Sequence, residues 1–187
     1  MEIPRFDFKA GHRVFEGNFL KLEPGDILFM EGIHALNPAL TPDIDRERIF
    51  GVYISALSAL PGGEKDHGST TDKRLLRRIV RDNRIRGISP EDNILRWPSV
   101  RRGETRNIFP FEENARIVFN SSTLYDVPLL KYYAEPLLCG ISESSPAYPK
   151  AQSLLSFLEH VRALKPAEIA AVPPTSIMRE FIGGQTL

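Results

Sequence analysis

Asp26-Ile27-Leu28-Phe29-Met30-Glu31-Gly32-Ile33-His34 is the stretch on which the fold turns. An apolar run ends abruptly in an acid and then a glycine. Such a run, with no polar alternation, predicts a short strand buried on both faces, as in a parallel sheet covered by helices. Pro24-Gly25-Asp26 ahead of it is a turn signal. The strand would deliver Glu31 to the carboxyl edge of the sheet, where ligands bind in open α/β folds. A carboxylate there can hold a metal-bound water or accept a proton from a substrate hydroxyl. The same acid can equally stabilise the turn that follows it as a helix N-terminal charge.

Two more strands are expected outward from this run, a buried one over residues 49–55 and a short one over 115–120. Helices follow from periodicity and punctuation. Thr71 is the expected N-cap of a helix over 72–86, with Leu75, Leu76, Ile79 and Val80 at helical spacing and Gly87 as its stop. Ser89-Pro90-Glu91-Asp92 starts a second helix, which Pro98 kinks or ends just after Trp97. Residues 101–107 are basic and read as helical, and 107–111 as extended. Further helices are expected over 122–132, 148–164 and 176–181. Near the N-terminus, Phe6 and Phe8 alternate with Arg5 and Asp7 in an extended segment, followed by a turn at Gly11-His12-Arg13. Residues 19–24 are strand-like, and 33–40 form a short helix interrupted by Pro38. The mixture is α/β, a mostly parallel sheet flanked by helices.

Composition bounds the function. The 187 residues suit one domain, and 42% hydrophobic with 26% charged residues is an ordinary globular balance. Acids and bases number 24 each, so the formal net charge is zero, which argues against a bulk nucleic-acid binder. The one cysteine, Cys139, forms no internal disulfide and fits a reducing compartment. No apolar run approaches membrane-spanning length and no signal peptide is visible. A cytoplasmic protein is expected.

The local charge pattern is uneven. Arg74, Arg77, Arg78, Arg81, Arg84 and Arg86 crowd the helix after Thr71. Arginine's planar fork suits phosphate oxygens, and charges this dense repel unless an anion or acids lie nearby. Two roles stay open, a phosphate-binding surface or a solvated face with partner acids, and Asp72 and Asp82 offset only part of the charge. Arg101, Arg102 and Arg106 extend the basic surface. Phe6, Phe8, Asp7, His12 and Arg13 either line a pocket for a planar ring or finish a core edge. His12, His34, His67 and His160 lack metal-ligand spacing, so a zinc site is not expected. Gly62-Gly63-Glu64-Lys65 lacks P-loop spacing, and no Gly-x-Ser-x-Gly elbow is present.

Taken in order, Ile3-Pro-Arg-Phe-Asp-Phe8, Glu31-Gly32-Ile33 and Arg74-Leu-Leu-Arg-Arg-Ile-Val-Arg-Asp82 with Arg86-Gly87 resemble the uridine kinase and phosphoribulokinase family, and Glu31-Gly-Ile-His-Ala-Leu-Asn-Pro38, Arg81-Asp-Asn-Arg-Ile-Arg-Gly87 and Arg179-Glu-Phe-Ile-Gly-Gly184 resemble one subgroup of it. The closest likeness is to the subgroup with a threonyl-tRNA-synthetase-like N-terminal region. The resemblance covers nearly the whole chain. It implies a partial P-loop kinase fold of three layers and transfer of the ATP γ-phosphoryl group, with Mg2+, to a hydroxyl of a nucleoside-like small molecule.

Under the resemblance, Glu31 takes the magnesium-side, Walker-B-like position, and Arg78, Arg81 and Arg86 match arginines that approach the phosphates. Phe6, Asp7 and Phe8 match the segment beside the nucleoside, with His12 one position past the family's nucleoside-contacting histidine, which falls on Gly11. Ile88 replaces an arginine, and a helix glutamine aligns near Trp97. The P-loop, its strand and a catalytic aspartate are not in this sequence, and the resemblance puts them upstream of Met1. The 187 residues then read as the C-terminal part of a kinase domain, inactive alone, whose first partner is the N-terminal part of the same chain. Because the P-loop strand would lie between 27–31 and 49–55, those two strands are expected either to join directly or to drive self-association into a homo-oligomer. The alternatives are a non-catalytic nucleotide- or phosphate-binding regulatory module and an interaction domain that docks its arginine helix on an acidic partner or RNA.

Overall fold

The computed structural model describes residues 2–7, 11–56 and 67–186. The chain divides into two compact units, Met1–Ala35 and Leu36–Leu187.

In the first unit, β1 (Arg5–Asp7) pairs antiparallel with β2 (His12–Val14), Arg5 opposite Val14, Phe6 opposite Arg13 and Asp7 opposite His12. Gly11 allows the return with a φ of 71°, and its N–H donates to the Asp7 carbonyl at 2.8 Å. The Arg5 guanidinium donates twice to Glu16 Oε1, at 3.0 and 2.8 Å. The extended segment around Phe6 is thus a strand. His12 and Arg13 belong to its partner and not to a turn. Phe8 lies outside the described residues. Residues 19–24 contribute one isolated bridge, Phe19 to Glu2, and no strand.

The apolar run itself departs from expectation. Residues 27–31 form no strand, and Ile27, Leu28, Phe29, Met30 and Ile33 are all exposed, Phe29 at 91%. Pro24-Gly25 does turn, with Gly25 at a φ of 98°. The physical reason is that a strand, unlike a helix, takes its backbone partners from a neighbour. Among the described residues no strand pairs with this run, so its backbone has no ladder to join. Among the described residues, 27–31 takes part in neither sheet.

In the second unit, β3 (Val52–Ser55) and β4 (Ile117–Asn120) pair in parallel, from Val52 opposite Ile117 to Ser55 opposite Asn120. Gly51 leads into β3. A Cβ there would stand 2.7 Å from the Asn114 carbonyl oxygen and 2.9 Å from Leu36 Cδ2, so only glycine fits. The parallel pairing follows the sequence, but burial on both faces does not. Val52, Ile54, Ile117, Val118 and Phe119 are exposed, because two strands are too narrow a platform for helices to cover.

Helices make up most of this unit. α1 (His67–Arg86) begins before Thr71, which therefore lies inside it and is not its cap. Nothing in the residues from His67 to Thr70 forbids helical geometry. Gly87 ends α1 as expected, with a φ of 63°. α2 (Pro90–Asn107) starts as its sequence dictates, Ser89 Oγ accepting from the Asp92 N–H at 3.0 Å. It runs through Pro98 without stopping and takes in the basic residues 101–107. Residues Phe109–Asn114 form a 3-10 helix where an extended segment was expected.

α3 (Asp126–Cys139) reaches further than the predicted 122–132, and α4 (Tyr148–Glu159) ends short of Leu164. α5 (Pro166–Ala170) was not expected. The Arg162 side chain and the Lys165 backbone N–H bond Glu168 and hold its carboxyl down to a pKa of about 2. α6 (Arg179–Ile182) closes the tail. The core joins Leu75, Leu76 and Ile79 of α1 to Leu129, Leu130 and Leu138 of α3 and Leu154 and Leu158 of α4, all essentially inaccessible. The described residues are mixed α/β with a small parallel sheet. No described helix is long and apolar enough to cross a membrane.

Candidate functional site

The chemistry concentrates on α1. Its apolar face, Leu75, Leu76, Ile79 and Val80, is buried, which sets the arginines along its flanks. Each then meets a partner that the fold brings to it. Arg74 forks onto both oxygens of Glu104 from α2, which also receives Arg101 Nη1 at 2.9 Å. Arg77 is buried against Asp126 at the start of α3, which is bonded in addition by Thr123, and its guanidinium lies 5.3 Å from the centre of the Phe181 ring. Arg84 donates to the carbonyl oxygens of Phe181 and Glu180, at 3.1 and 3.2 Å. These three arginines tie α1 to α2, α3 and α6.

Arg78, Arg81 and Arg86 are different. All three turn on one carboxylate, Asp82, whose side chain has no exposed surface. Arg81 Nε stands 2.9 Å from Asp82 Oδ1, Arg86 Nη1 3.2 Å from the same oxygen, and Arg78 Nε 3.4 Å from Oδ2. Arg78 Nε also donates to Asn93 Oδ1 at 3.1 Å, and Asn93 is fixed in turn by the Ser89 carbonyl. Glu180 approaches Arg81 Nη1 at 3.8 Å from a half-exposed position. Three guanidiniums against one buried carboxylate leave two positive charges, which Glu180 offsets in part. Arg86 is half exposed, so the cluster opens to solvent. Such a surplus can receive an oxyanion.

The remaining predicted residues lie in the first unit. Asp7 and His12 face each other across the β1–β2 pair, Asp7 half-buried and His12 exposed. Phe6 is in β1. Glu31 is exposed, just before the turn that begins at Gly32. Among the described residues no group of three or more His, Cys, Asp or Glu is placed to hold a metal ion. The residue that sequence reasoning undervalued is Asp82. Its signal was there: Arg78 and Arg86 each stand four residues from it, a spacing that places side chains together on a helix.

The chain matches no known protein family, no curated protein and no solved structure.

Proposed function

We propose that the chain is the C-terminal part of an ATP-dependent kinase of the uridine kinase and phosphoribulokinase type, built on the parallel sheet of a P-loop kinase. The intact protein would phosphorylate a hydroxyl of a nucleoside or a similar small molecule. The observation that carries the proposal is the gathering of Arg78, Arg81 and Arg86 on buried Asp82, with positive charge beyond what the nearby acids balance. Phosphoryl transfer is catalysed by positioning and by fixed cations at the transferring oxygens, and α1 presents such cations on a rigid helix. The exposed parallel pair fits one part of a larger sheet, since parallel sheets are covered on both faces.

In this scheme Phe6, Asp7, Phe8 and His12 lie beside the nucleoside. Glu31 is an exposed carboxylate with the hard oxygen donors that magnesium takes, and magnesium commonly uses one or two carboxylates beside phosphate oxygens and water. When bound, the ion offsets phosphate charge. The arginines hold and orient the phosphate chain.

The sequence contains no Gly-x-x-x-x-Gly-Lys-Ser/Thr, so the 187 residues alone should not turn over ATP. The reading frame before Met1 provides the test. It should encode that motif, and the joined protein should transfer phosphate from ATP to a member of a nucleoside panel. Turnover by the 187 residues alone, or a frame without the motif, would overturn the proposal. The second outcome would favour a phosphate-binding module without catalysis, which has the same use for the arginines.

A further inference from the structure

A buried carboxylate costs desolvation, which partners must repay. For its own stability it would keep both oxygens hydrogen-bonded. Asp82 does not. Its Oδ2 is buried without a hydrogen bond and faces Arg78 Nε at 3.4 Å. The acids that α1 arginines meet on neighbouring helices take one guanidinium, as Asp126 of α3 does, or two, as Glu104 of α2 does. Asp82 meets three. Three guanidiniums repel one another, and the repulsion is tolerated here because the acid lies at their centre.

We infer that Asp82 is a positioning residue for an oxyanion site, its buried carboxylate gathering Arg78, Arg81 and Arg86 so that a phosphate chain meets their forks already in place. The inference deepens the phosphate-handling role of α1 proposed above and rests on it. Charges set in place before the ligand arrives need no reorganisation when it binds. The anchoring acid is itself sealed from solvent and engages Arg86, the most open of the three, through Nη1.

The probe is inorganic tripolyphosphate, titrated calorimetrically into the wild-type chain, Asp82→Asn and Arg86→Gln. Charge alone predicts tighter anion binding in Asp82→Asn, because a negative charge is lost. A positioning role predicts the opposite: binding weaker by about tenfold or more, the equivalent of one charge-assisted hydrogen bond. Arg86→Gln, at a half-exposed site, should weaken binding to a similar degree.

Equal or tighter binding by a folded Asp82→Asn would overturn the inference and leave the phosphate site standing. A wild-type chain that binds no tripolyphosphate overturns the site itself, while the kinase proposal keeps its separate test in the joined protein. If Asp82→Asn does not fold, the Nε–H resonances of Arg78 and Arg81 in the ¹⁵N-labelled wild type decide. Dispersed, ordered signals before any anion is added support gathering by Asp82. Signals averaged like those of free arginines until tripolyphosphate arrives contradict it.

Discussion

At the scale of single residues, α1 distinguishes arginines that build the fold from arginines that have charge to spare. Arg77 is the clearest builder. It is buried against Asp126 and lies over the Phe181 ring. Arg77→Met keeps the packing volume but leaves Asp126 buried without its guanidinium. Removing one partner of a buried pair costs about 3–5 kcal/mol, and urea denaturation should register that loss. Arg77→Met/Asp126→Leu should recover much of it, since no uncompensated charge then remains inside. A single-variant loss below about 1 kcal/mol would show that the pair is solvated in practice. The density of arginines was legible in the sequence, but most of their partners were not. Glu104 lies 30 residues from Arg74 and Asp126 lies 49 from Arg77, and only the fold closes those distances. Asp82 could be read, because its partnerships are local to one helix.

At the scale of elements, what was legible divides along the same line. The Ser89 start of α2 and the Gly87 stop of α1 came directly from sequence, because caps and stops are satisfied within a few residues. The 27–31 run did not, because hydrophobicity states that a segment should be buried but not what will bury it. Pro98 misled for another reason. An interior proline removes one backbone bond, here to the Ile94 carbonyl, and a helix of 18 residues packed through Ile94 and Trp97 survives that loss. Pro98 is exposed, so Pro98→Ala should restore the bond without loss of packing. A gain of about 1–2 kcal/mol is expected, the interior-proline penalty reduced by the freer unfolded chain. Ser89→Ala, which deletes the cap, should cost about 1 kcal/mol. Urea midpoints at unchanged slope read both. A neutral or destabilising Pro98→Ala would mean that a bend at Pro98 is part of how α2 fits α1.

At the scale of the whole molecule, the parallel pair is the exposed liability. Among the described residues β3 and β4 pair only with each other, and Ile54 and Val118 are 63% and 58% exposed. Bare strand edges with apolar faces recruit other chains, and a formal net charge of zero does nothing to keep copies apart. The chain should therefore self-associate, its sedimentation coefficient rising with concentration. Ile54→Lys and Val118→Lys place charges on the two strands and should shift the population toward monomer without changing helix content. A wild-type chain that stays monomeric over the full dilution series contradicts this. The joined protein of the proposal above supplies the sharper comparison. If β3 and β4 belong to a larger kinase sheet, further strands pair with their edges and helices cover their faces, so association through this surface should vanish while the lysine variants become destabilising. If the joined protein still associates, and the lysine substitutions still disperse it, then the exposed pair serves as an interface between copies and not as an interior awaiting its sheet.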